Sequence, residues 1–242
     1  MAYPNQQAGL LVANGWKHDS KIVKLDKGLP ITFCKNAAFN HPYGLAFIED
    51  TLYVTSQNNL LIATVSLTTG QVIDPAFTTI EGKVRGIASD SLRSRLFVAG
   101  HNVVKILDST NATVIRTIPF DNPIGVYFHA PSNSLLVGSN ADAKGLVHRV
   151  DLATFHVDAT PYQTPHGGMD HPAGLLVYGD FLYALGQDNR QLLKFDFQSK
   201  EYKGKLIEDL PNDPEQILAI PQSVLTQFVM VPDYGSDTDV VL

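Results

Sequence analysis

His171-Pro172-Ala173-Gly174-Leu175-Leu176-Val177 reads as a short apolar strand opened by a turn whose backbone is fixed by proline. Phe181-Leu182-Tyr183-Ala184-Leu185 and Leu192-Leu193-Lys194-Phe195-Asp196 follow as two more strands, separated by turn residues that include Gly179 and Gln187-Asp188-Asn189-Arg190. The opening phrase recurs at His41-Pro42-Tyr43-Gly44, Lys83-Val84-Arg85-Gly86, Asn122-Pro123-Ile124-Gly125 and Asp213-Pro214-Glu215-Gln216. The copies are spaced by roughly forty to fifty residues, the period of propeller blades. The expected fold is therefore all-β: a β-propeller with four-stranded antiparallel blades.

The repeats fall near residues 10–36, 41–76, 83–118, 122–158, 171–207 and 213–242, within a single domain spanning 1–242. The first lacks an inner strand, and the last breaks off in Thr238-Asp239-Val240-Val241-Leu242, inside what the pattern makes a third strand. Six blades are predicted, in a ring that closes imperfectly or in a chain that is a piece of a longer one. Asp26, Asp108, Asp151 and Asp196 each end a third strand, with Ser66 in the remaining copy. There a side-chain oxygen accepts backbone N–H groups of the following turn, so these residues are assigned to structure and not to a metal.

Composition narrows the function classes. Hydrophobic residues make up 44% and charged residues 17%, as in ordinary globular proteins. The net charge of −6, without a run of Lys or Arg, argues against nucleic acid or an anionic membrane as main partner. No apolar run has the length of a membrane helix, and the polar start Ala2-Tyr3-Pro4-Asn5-Gln6-Gln7 is unlike a secretory signal, so a soluble, cytoplasmic protein is expected. The single cysteine, Cys34, excludes an internal disulfide and reads as a small apolar residue at a strand end. Trp16 is expected to pack over a neighbouring blade.

In a propeller the inner strands all run the same way, so the residues that open them converge on one mouth of the central channel. The turns after the second strands lie at that mouth too, because adjacent strands are antiparallel. The first set is His41, Lys83, Arg85, Asn122, His171, Asp213 and Glu215; the second is Asn58, His101, Asn102, Asn140, Asp142, Asp188, Asn189 and Asp233. Binding is assigned to Arg85, His101, Asn102, Asn122, Asp170, Asp188 and Glu215, and proton transfer, if the protein is an enzyme, to His171 and His41. Asn140, Asp188 and Asp233 offer oxygen ligands to a divalent cation such as calcium, magnesium or zinc. Pro165-His166-Gly167-Gly168-Met169-Asp170-His171 adds two histidines and a carboxylate in one glycine-containing loop. No HExxH, paired CxxC, GxSxG, P-loop or GxGxxG is present.

The x-Pro-x-Gly copies with turns such as Gln187-Asp188-Asn189-Arg190-Gln191 resemble NHL repeats, and Val103–Ile118 is similar to the YVTN type of YncE-like propellers. That resemblance, which extends to SMP-30-like propellers, implies a site at the mouth. It leaves open a binding or scaffold module for a protein or small-molecule ligand, and a metal-dependent lyase or hydrolase of the SMP-30 or streptogramin-lyase kind. For an SMP-30-type metal set, only Glu215, Asn122, Asn140, Asp188 and Asp233 are available as stand-ins, and the first complete inner strand lacks a Glu.

Overall fold

The computed structural model describes residues 10–15, 20–26, 29–141, 145–166, 168–208, 210, 214–218 and 229–232. Apolar, β-branched and aromatic runs bounded by Gly, Asn, Asp and Ser become strands throughout. One four-stranded antiparallel sheet contains β4 (Pro42–Ile48), β5 (Thr51–Ser56), β6 (Leu61–Ser66) and β7 (Val72–Thr79). The next contains β8 (Val84–Asp90), β9 (Arg95–Gly100), β10 (Val103–Asp108) and β11 (Val114–Pro119). The third has β12 (Pro123–His129), β13 (Ser134–Ser139) and β14 (Leu146–Asp151), and the fourth has β15 (Pro172–Tyr178), β16 (Phe181–Gly186), β17 (Gln191–Asp196) and β18 (Tyr202–Ile207). β1 (Leu10–Asn14), β2 (Lys21–Asp26) and β3 (Leu29–Cys34) form a three-stranded sheet, and β19 (Pro214–Leu218) pairs with β20 (Val229–Pro232).

The protein is a β-propeller of five blades, not the six predicted. β4, β8, β12, β15 and β19 are the inner strands; each packs beside the next, and β19 also meets β4. β1 packs beside β4 as β5 does beside β8 and β9 beside β12, which gives β1 the second place in its blade. The N-terminal three-stranded sheet and the β19–β20 pair, which are separate sheets, both fall at the one position left between the fourth sheet and the first complete blade, where the sequence pattern counts two blades. The third blade departs from the four-stranded pattern: among the described residues its sheet has three strands, and its outer edge carries the isolated bridges Val150 to Val157 and Val147 to Tyr162. The expected strand Thr238–Leu242 and Trp16 lie outside the described residues.

Blade-on-blade packing explains the apolar runs. The second strands are buried almost throughout, as in Leu96-Phe97-Val98-Ala99, because neighbouring blades cover both faces. The outer strands β7, β11 and β18 are mostly exposed or half-buried. One core layer joins Tyr53, Ile62, Val84 and Leu96 across the first two complete blades, and another joins Phe97, Ile106, Leu135 and Val150 across the next pair. Cys34 is buried with Ile22, Phe39 and Val54 between the N-terminal sheet and its neighbour, and burial pushes its thiol pKa up.

Each inner strand starts with a bulge at the repeated phrase, visible as a register break after Pro42, Val84, Pro123, Pro172 and Pro214. The phrase's glycine lets adjacent inner strands approach at the axis. A Cβ on Gly86 would lie 2.6 Å from the Ile124 carbonyl oxygen, and one on Gly125 would overlap the Ala173 carbonyl.

Three of the four turn aspartates accept the bonds expected of them; the Asp26 side chain lies outside the described residues. Asp108 Oδ1 accepts the Thr110 N–H at 2.8 Å, Asp151 Oδ1 accepts those of Ala153 and Thr154, and Asp196 Oδ1 accepts those of Gln198 and Ser199. Hydrogen bonds from the Thr110 side chain, the Thr154 backbone and the Ser199 backbone are the leading causes that hold these three carboxyls below the usual range. A carboxyl with a lowered folded pKa stabilises the fold above its unfolded value of about 3.9, and this contribution disappears as pH falls through the folded value. The melting temperature should therefore drop below about pH 4, and an Asp108→Asn/Asp151→Asn/Asp196→Asn variant should show a shallower acid limb. Thermal melts of the two proteins across the acid range check this; superimposable acid limbs would contradict it.

Candidate functional site

Among the described residues, positions that open the inner strands lie beside the turns after the second strands. His41, Asn122 and His171 stand just before the bulge prolines, with φ of 58°, 40° and 51°. Their carbonyls accept the N–H groups of Gln57 at 2.9 Å, Asn140 at 3.3 Å and Gln187 at 3.0 Å, residues that open the turns after the second strands. Asn and His are both enriched in this left-handed region relative to other non-glycine residues. Histidines at two of these three positions are held there by the surrounding turn bonds.

Side chains extend this into a chain across three blades. Arg85, only 9% exposed, donates from Nη1 to Asn122 Oδ1 at 3.2 Å. Asn122 donates from Nδ2 to the Asn140 carbonyl at 3.2 Å, and its backbone N–H donates to Asn102 Oδ1 at 3.3 Å. The Asn140 amide nitrogen lies 3.5 Å from His171 Nδ1, which is 3.0 Å from Asp188 Oδ2. One oxygen of this chain, Asn140 Oδ1, is shut off from solvent and has no hydrogen-bond partner.

Asp170, His171 and Asp188 bring their ligand atoms within 4.8 Å of one another, and they are the group of this kind among the described residues. Of the residues expected to offer metal ligands, Asn140 and Asp188 reach this neighbourhood; Asp233 lies outside the described residues, as do Asp142 and Asp213. Neither His41 nor His166 belongs to the cluster. His41 stacks on Tyr43 with ring centres 6.5 Å apart, its backbone N–H donates to Ser20 Oγ, and His166 is exposed. His101 is exposed beside Gly82, and Asn58 bonds Asn40. Glu215 takes in β19 the bulge position that Tyr43, Arg85, Ile124 and Ala173 take in the other inner strands.

Sequence reasoning missed Tyr43 and Gln187. The Tyr43 hydroxyl donates to Gln187 Oε1 at 3.4 Å, which links the first complete blade to the fourth sheet. The signal was the residue after the bulge proline: Tyr43, Ile124 and Ala173 pack together, and Arg85 holds the equivalent place. Guanidinium, amide, carboxylate, imidazole and phenol groups thus converge on a mouth backed by apolar strands. Such a surface can satisfy a polar or charged ligand from several directions at once.

No protein-family model matches the chain, and no curated protein does. Among solved structures, a chain of a nidogen/laminin complex is similar with a TM-score of 0.57 and 16% identity, over 81% of this chain and 92% of that one. A chain of Kuenenia stuttgartiensis hydrazine synthase is similar with a TM-score of 0.57 and 17% identity, over 73% of this chain and 52% of that one. This chain therefore spans little more than half the length of the second. These likenesses define the class as β-propeller, and they extend to the fold alone. No helix among the described residues is long and apolar enough to cross a membrane.

Proposed function

We propose that the protein is a recognition module that binds a protein or small-molecule partner on the polar mouth of the propeller. The observation that carries this reading is the chain of contacts from Arg85 through Asn122 and Asn140 to His171 and Asp188, drawn from three blades. Side chains held by one another before a ligand arrives lose less freedom on binding it. The nidogen/laminin neighbour belongs, by its description, to a protein complex, which is in keeping with a propeller working as an assembly surface. Whether the finer resemblance is to NHL, YVTN or SMP-30-like propellers does not alter the reading, because the fold hosts many functions.

An Arg85→Ala/His101→Ala/Asp188→Ala variant tests the proposal. It should lose partners captured by the wild-type bait while keeping its far-ultraviolet circular dichroism spectrum. An unchanged set of captured partners would count against the mouth. The second reading, a metal-dependent lyase or hydrolase, is favoured by the Asp170, His171 and Asp188 cluster. It requires turnover that stops when metal is removed.

A further inference from the structure

We infer that Asp170, His171 and Asp188, completed by the side-chain amide of Asn140, form a site for one divalent cation of the zinc type. This deepens the reading of the mouth as the working surface and rests on it. His171 Nδ1 has Asp188 Oδ2 at 3.0 Å and Asn140 Nδ2 at 3.5 Å.

A ring nitrogen either carries a proton and donates, or has a lone pair and accepts. If Nδ1 donates to Asp188, the Asn140 N–H points at another donor. If it accepts from Asn140, its lone pair faces a carboxylate oxygen. With the amide in this orientation neither proton placement satisfies both neighbours; with the amide turned over, Nδ1 faces two oxygens, Asp188 Oδ2 and Asn140 Oδ1, so the position between them suits a shared proton or a cation. The same amide also leaves Oδ1 buried and unpartnered, where a native carbonyl oxygen ordinarily finds a partner.

We take the cation, because the carboxylate of Asp170 also belongs to the cluster. The cation takes the Nδ1 lone pair and the Asp188 oxygen together, and turning the Asn140 amide over within the same volume brings Oδ1 to the position Nδ2 now has. Ligands about 2.1 Å from a metal and about 3.0–3.4 Å from each other subtend angles between a right angle and the tetrahedral one, which matches the Nδ1 to Oδ2 separation. Asp170 supplies the second carboxylate, within the 4.8 Å span of the group. One imidazole nitrogen with three oxygens suits a borderline cation such as zinc better than calcium, which takes oxygen ligands only. Asp188, half exposed, leaves a side open to a partner's own ligand atom.

Isothermal titration of zinc chloride into the full chain, untagged and first stripped with chelator, tests the site. Wild type should bind one equivalent and His171→Ala none; Asp188→Asn, on an exposed turn and so without risk to folding, should bind much more weakly. Asn140→Ala should lose about tenfold to a hundredfold in affinity, the range seen when groups that support a metal site are removed. His41→Ala, at the equivalent place in another blade, should bind zinc as wild type does. No saturable binding to wild type, or equal binding to wild type and Asp188→Asn, would overturn the inference. Capture by the triple variant, repeated in chelator, separates the two proposals: partners lost from that variant without any zinc binding leave the recognition reading standing and the cation site refuted.

Discussion

Gly125→Ala is expected to destabilise the protein by about 3 kcal/mol or more, lowering its melting temperature by roughly 10 °C. The added Cβ would overlap the Ala173 carbonyl and sit 2.8 Å from that of Pro172, and both obstacles are backbone of the next inner strand. Neither can rotate away, so the inner strands would have to separate along the axis. Gly86→Ala, facing the Ile124 oxygen at 2.6 Å, should come next, and Gly44→Ala, facing the Ile87 nitrogen at 2.9 Å, should cost least of the three. Gly168→Ala is the control, since the nearest atom to its Cβ is Thr164 Oγ1 at 3.6 Å. Thermal and urea unfolding of the four variants check the ranking. A Gly125→Ala protein that melts with the Gly168 control would contradict the packing of the inner ring.

Tyr162→Ala should cost about 3–5 kcal/mol, the range for emptying a buried aromatic site. Tyr162 is fully buried between the third and fourth sheets, packed with Leu136, Val147, Leu182 and Phe195, and its hydroxyl donates to the Phe197 carbonyl at 2.7 Å. Tyr162→Phe keeps the packing but loses that bond, and should cost about 1 kcal/mol. Burial pushes the phenol up to about 12 and raises those of Tyr53, Tyr127 and Tyr183 as well, so in a spectrophotometric titration a group of tyrosines that includes Tyr162 should ionise after the exposed ones, and Tyr162→Phe should remove one tyrosine from that late group. Equal stability of Tyr162→Phe and Tyr162→Ala would show that the segment between β14 and β15 does not close the third blade.

The sequence pattern made the inner strands and the mouth legible because proline, glycine and the residues around them act locally. Pro42, Pro123, Pro172 and Pro214 mark bulges that need no distant partner to form, and the aspartates after the third strands bond within their own turns. Blade number is a property of closure in space. The N-terminal strands and the last repeat come together at one position of the ring, yet along the chain each counts as a blade of its own. The Asp170, His171 and Asp188 cluster was half legible: two members are adjacent in the loop, but the third comes from the turn after β16, and no spacing encodes that approach. Tyr43 reads as one more apolar residue until its hydroxyl meets Gln187.

Hydrogen–deuterium exchange with and without a partner captured by the wild-type bait tests the central claim most directly, namely that the mouth is the recognition surface. The recognition reading predicts added protection at residues 83–85, 101–102, 122, 140, 170–171 and 187–189, where the inner strands open and the turns after the second strands return. The outer strands β7, β11 and β18 should exchange as before. Protection confined to those outer strands, with the mouth unaltered, would contradict it.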